Sequence, residues 1–113
     1  MRHKALKYLL DIQELVAEIE SFKQLVGNDF FAFADQVVVK RAVERDLEII
    51  GEAVRALNAL DQSFPISSSR KIIGLRNILA HAYDGVDDAM LWSIVQRDIP
   101  LLAREVEALL RQF

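Results

Sequence analysis

Four side chains able to do chemistry stand within eight positions: the stretch RNILAHAY, residues 76–83, holds Arg76, Asn77, His81 and Tyr83. A guanidinium grips phosphate oxygens through paired hydrogen bonds, and an imidazole titrates near neutrality and can move a proton. Those two functions suffice to cleave RNA without a metal ion. A base takes the proton from a ribose 2′-OH, the oxygen attacks the adjacent phosphorus, and the arginine stabilises the charge that builds on the phosphoryl oxygens. The spacing restricts how this could work. Successive residues of a helix lie ~100° apart, which makes Asn77 and His81 neighbours and puts Arg76 and Tyr83 nearly in line. Arg76 and His81 are about 140° apart with ~7.5 Å of rise between them, so they cannot reach one atom from one straight helix. They can flank one groove if the helix ends near Ala80, or if a second copy of the motif faces the first. Without further context the same residues read as a solvated helix face, with Tyr83 a helix-end ring whose hydroxyl is wet.

Other chemistries find little support. His3 is the one other histidine and there is no cysteine, so zinc at His81 would need carboxylates. Glu44, Glu48 and Glu52 form an acidic row at four-residue spacing, where like charges repel slightly. Pairing with an arginine suits that row better than a metal, because the Glu-x-x-His pair of di-metal bundles is missing. No glycine-rich phosphate loop, Ser-His-Asp arrangement or catalytic carboxylate pair is present. No metal and no cofactor are therefore expected.

The elements that must position residues 76–83 are helical. Ala5, Leu9, Ile12, Val16, Ile19 and Val26 recur at three-, four- and seven-residue steps, and Gly27-Asn28 supplies the left-handed stop. After an aromatic patch (Phe30, Phe31, Phe33), a second stripe runs through Val39, Val43, Leu47, Ile50, Val54 and Leu57. Pro65 and the serines of NALDQSFPISSS mark a loop, and a third helix is expected from about Ser68 to Ala80 or beyond. DGVDD (84–88) reads as a turn. A final helix through Leu91, Val95, Ile99, Leu102, Val106 and Leu109 reaches Phe113, with Pro100 expected to bend or divide it. Gly51 and Gly74 interrupt helical patterns at about 1 kcal/mol each relative to alanine, and close helix packing is the expected reason. Four main helices on short loops make an all-α antiparallel bundle of four to five helices.

Composition sets the outer bounds. The 113 residues suit a single helical domain over 1–113, 52% of them hydrophobic and 27% charged, long enough to bury roughly two-thirds of the unfolded surface. The absence of cysteine fits a reducing cytoplasm. The longest apolar run, FFAFA at 30–34, is far short of the ~20 residues a membrane span needs. A net charge of −3 argues against a DNA-coating protein. Yet no acid occurs from Gln62 to Tyr83, where Arg70, Lys71 and Arg76 lie, so one segment could receive phosphate.

The Arg-x4-His-x-Tyr of RNILAHAY resembles the signature of the HepT-like toxins, a branch of the HEPN superfamily. ERDLEIIGEAVRAL (44–57) resembles that family's second-helix block, KIIGLRNILAHAYDGVD (71–87) its central block, and LWSIVQRDIPLLAREVEALL (91–110) its C-terminal helix. The likeness spans about 5–113. It implies a homodimeric HEPN-like bundle whose two motifs line one cleft. It further implies a metal-independent endoribonuclease toxin, acting on RNA and partnered by a small nucleotidyltransferase antitoxin of the MNT type. Carried over by position, Arg76 and His81 are catalytic and Asn77 is the polar residue that supports them. Tyr83 is the tyrosine that the partner modifies with AMP to silence the toxin, and no membrane is involved. One departure is local: ISSSRKIIGLRN has serines where relatives often carry a tryptophan and an acid. The other reading of the resemblance is a non-catalytic HEPN scaffold that binds a nucleotidyltransferase and a nucleotide. An intact Arg76/His81 pair favours catalysis, since a scaffold has no chemical need for both.

Overall fold

The computed structural model describes residues 2–61, 66–67, 69–80 and 87–113, positions 2 and 76–80 by their backbone alone. Every regular element among them is a helix: α1 (Arg2–Leu25), α2 (Phe30–Asp35), α3 (Val37–Leu60), α4 (Ser69–Ala80), α5 (Asp88–Ser93) and α6 (Ile99–Leu110). A π-helical turn over Ile94–Asp98 joins α5 to α6 without a break. The expected loop residue Pro65 and most of the DGVDD turn lie outside the described residues.

All six apolar positions expected on the first helix are buried, as are all six on the second stripe and all six on the last. That agreement explains the packing. α3 carries α1 on one side and α4 on the other, and α6 closes against α1. Asn28, just past α1, accepts a hydrogen bond from Gln96 Nε2 at 2.6 Å, so the C-terminal helix starts where α1 ends and runs antiparallel to it. Leu9, Ile12 and Ile19 meet Leu47, Ile50, Leu57, Ile99 and Leu102 in a continuous apolar interior. Each such side chain contributes roughly 1.5–3 kcal/mol by leaving water.

The ends of the elements follow from their residues. At the end of α1, Gly27 (φ 65°) and Asn28 (φ 53°) are both left-handed. Their amides return to Gln24 and Lys23, each at 2.9 Å, and so satisfy carbonyls that a helix end leaves open. The aromatic patch is itself a short helix, α2, opened by Asp29, whose carboxylate accepts the Ala32 amide at 3.1 Å. Its Phe33 is fully buried with its ring centroid 5.0 Å from that of Trp92, which ties α2 to α5. Truncation of Phe33 to alanine should cost about 3–5 kcal/mol. The urea midpoint of unfolding is then expected to fall by roughly 2 M, and an unchanged midpoint would remove α2 from the cooperative core.

Pro100 neither divides the last helix nor stops it; the winding widens instead. Proline has no N–H for the carbonyl four residues back, and in regular winding its ring crowds that carbonyl. Here the Ile99 amide reaches back five residues to the Ile94 carbonyl, and Pro100 follows as the second residue of α6. The regular helix ends at Leu110, three residues before Phe113.

Two carboxylates sit inside the bundle, Asp46 and Asp98. Asp46 is 5% exposed, and burial pushes its carboxyl up to about 7. A hydrogen bond to Glu18 of α1 and repulsion by that carboxylate push in the same direction, against a weaker pull from Arg45. At neutral pH the α1–α3 seam therefore carries a carboxyl group close to half protonation.

Candidate active site

The motif residues divide between α4 and the segment that follows it. Arg76 and Asn77 lie on α4, described by their backbone. His81 and Tyr83 lie outside the described residues. What the structure gives in detail is the mounting that holds this part of the chain.

At its start, α4 is fixed by short polar contacts. Ser69 Oγ donates to the Ile66 carbonyl at 2.9 Å, and the Ser67 amide donates to the Glu105 carboxylate of α6 at 3.1 and 3.3 Å. Ile72 and Leu75 are buried. Lys71 crosses to the π-helical turn, its Nζ 2.9 Å from Asp98 Oδ2. Asp98 is buried while Lys71 stays exposed, so the lysine reaches in from the surface to compensate a carboxylate held inside the bundle. On the far side of the motif, Asp87 caps α5 by accepting the Met90 amide at 2.7 Å, and Asp88 pairs with Lys40 of α3 at 3.2 Å. Both flanks of 81–86 are thus anchored to the bundle, on α3 at one end and on the C-terminal helix at the other.

The cations of the acid-free segment have different assignments. Lys71 is committed to Asp98, a pairing hidden in the sequence because 27 positions separate the two residues. Arg70 has no carboxylate partner among the described residues, and it lines an open concavity. Gly74 lines the same concavity, and here the packing expectation is corrected: a Cβ at Gly74 would meet nothing within 4 Å. Gly51, by contrast, is buried within α3.

Two of the three glutamates of the row on α3 take arginine partners from their own helix. Glu44 is 2.8 Å from Arg41, and Glu52 is 3.7 Å from Arg55. Among the described residues no three metal-ligating side chains gather at one point. No helix among them is long and apolar enough to cross a membrane.

Comparison with known proteins decides the family. The sequence model described as "Ribonuclease HepT-like" matches residues 12–109, nearly the whole helical array. The chain belongs to the HepT-like family. Two relatives named as ribonucleases agree. "Putative RNase MJ1380" of Methanocaldococcus jannaschii is 40% identical over 101 residues, covering 88% of this chain and 91% of the relative. "Probable ribonuclease HepT" of Thermococcus cleftensis is 37% identical over 111 residues, covering 96% and 98%. No solved structure gives a significant match. The all-α bundle is the fold expected of a HepT-like HEPN protein, and the family and its relatives support a ribonuclease function.

Proposed function

We propose that this HepT-like protein is a metal-independent endoribonuclease toxin. The observation that carries the reading is the complete Arg76-x4-His81-x-Tyr83 motif, beginning on a helix that Lys71, Ser67 and Ile72 lock to the bundle. His81 takes the proton of a ribose 2′-OH, and O2′ bonds to the adjacent phosphorus. The P–O5′ bond breaks, leaving a 2′,3′-cyclic phosphate on one strand and a 5′-hydroxyl on the other, O5′ taking a proton from water that replaces the one His81 removed from O2′. Arg76 stabilises the negative charge that accumulates on the phosphoryl oxygens, and Asn77 supports the phosphate through its amide.

Two copies acting together would answer the angular problem, since Arg76 and His81 diverge by about 140° on one helix. Leu25, Phe31, Val37 and Val38 also stand exposed where α1, α2 and α3 meet, Val38 by 80%, which is apolar surface that a protein partner can cover. The partner we propose for control is an MNT-type nucleotidyltransferase that adds AMP to Tyr83. A bulky anion two residues from His81 would repel the phosphate of an incoming RNA strand.

Growth and mass together test this scheme. Expression of the chain alone is expected to arrest growth, and co-expression with the nucleotidyltransferase is expected to relieve the arrest. The purified protein should then be heavier by one or more AMP units, a gain that Tyr83→Phe abolishes. An unmodified protein from relieved cells would sink the silencing scheme, and harmless expression of the chain alone would sink the toxin.

A further inference from the structure

We infer that the concavity beside the start of α4 binds the ribose-phosphate backbone of the RNA, with Arg70 holding a phosphate next to the one that is cleaved. The hollow measures about 860 Å3 and is lined by Asn58, Ser67, Ser69, Arg70, Ile73 and Gly74. It lies outside the catalytic motif, and the inference rests on the ribonuclease reading for the identity of its ligand.

The lining has the chemistry of a sugar-phosphate site. Arg70 is exposed and has no carboxylate partner among the described residues, so it offers a full cation with unused donors. Asn58 and the Ser67 hydroxyl add neutral donors. Ser69 contributes the opposite polarity: its proton is already given to the Ile66 carbonyl, so Oγ is left to accept, as a ribose 2′-OH requires. Among the described residues no carboxylate lines the hollow. Glu105 approaches from α6, where its carboxylate accepts the Ser67 backbone amide and keeps its negative charge at the border of the hollow. Gly74 leaves open the space a side chain would fill, which lets a strand approach the helix closely.

Position relative to the motif completes the argument. The α4 face that carries Arg70, Ile73 and Gly74 runs on to position 77, at three- and four-residue steps. Arg70 and Arg76 are six residues apart, about 9 Å along the axis and about 120° around it, so a strand meets both by crossing α4 obliquely. That separation suits neighbouring phosphates of one strand better than two oxygens of the same phosphate. A second copy of this chain is the other conceivable occupant, but a hollow whose described lining holds an exposed cation and one aliphatic side chain, Ile73, suits it poorly.

The test is direct binding of a twelve-nucleotide single-stranded RNA across a range of salt, in a His81→Ala background so that the strand stays intact. Loss of one phosphate contact reduces the slope of log affinity against log salt by about 0.7. Arg70→Ala is expected to show that reduction together with roughly tenfold weaker binding at low salt. Arg70→Lys should restore the slope, because it restores the charge. Equal affinity and equal slope in Arg70→Ala would overturn the inference while leaving the ribonuclease reading intact. Arg70-dependent binding to RNA that the His81-containing protein never cleaves would do the reverse. A variant that changes oligomeric state by light scattering and leaves the salt slope alone would assign the hollow to a second copy and overturn the inference. Failure of the parent protein to bind RNA at all would overturn both.

Discussion

His81→Ala is expected to reduce cleavage of a purified RNA by about 10²–10⁴-fold, the usual contribution of a positioned general base. Arg76→Ala should cost about 10²–10³-fold by removing charge stabilisation at the phosphorus. The two losses should not multiply in the double variant, because both groups act in one transition state. If the two residues serve catalysis, helicity and thermal midpoint are expected to stay near the parent values. Cleavage by the parent should continue in excess EDTA, since the proposed chemistry needs no metal. Full activity in His81→Ala would end the assignment, and inhibition by the chelator would replace it with a metal-assisted reaction. An unfolded variant could mimic the loss of cleavage, which is why circular dichroism and light scattering accompany the assay.

The second large effect concerns Asp46 and is one of stability. In the unfolded chain its carboxyl ionises near 3.8, and in the bundle near 7. Between those values the folded protein binds a proton that the unfolded chain has released, so stability falls as pH rises through this window. Below about pH 4 both states are protonated and the site carries no penalty; above about pH 7 both are ionised and the penalty is complete. A shift of this size corresponds to an order of 2–4 kcal/mol. Asp46→Asn keeps the shape, cannot ionise and retains a donor for Glu18. At pH 8 its Tm should exceed that of the parent by on the order of 10 °C. At pH 4 the two proteins should melt together. Groups other than Glu18, which bonds to Asp46, cancel in the difference between the curves, so parallel melting curves from pH 4 to 8 would show that Asp46 titrates as in water.

Much of this was readable from residue spacing. Three apolar stripes predicted three long helices, and all eighteen of their named positions are buried because a 3.6-residue period has one face to hide. The stop at Gly27-Asn28 was legible for a different reason, since few other residues adopt two left-handed conformations in a row. α2 was not legible as a helix: six residues are fewer than two turns, too short to express a period. Asp29, three residues before an amide it could cap, was the available signal. Gly74 misled because a glycine in a helix says that no side chain is needed, not what takes its place. The motif at 76–83 was plain as a pattern. Its mounting was not, because Lys71 with Asp98 and Ser67 with Glu105 are joined by the fold alone.

The wide turn at Ile94–Asp98 bears on how chains of this kind can diverge in length. The wide turn absorbs one residue that regular winding would convert into a rotation of α6 by about 100°. Loss of one residue there, with return to ordinary winding, would leave Ile99, Leu102, Val106 and Leu109 still turned toward the interior. A lineage can therefore shed that residue without rebuilding the apolar stripe of α6. Length change at this point leaves a single-residue gap with an intact stripe on either side of it. Column-by-column comparison of two such sequences without the gap would match core positions of one to surface positions of the other.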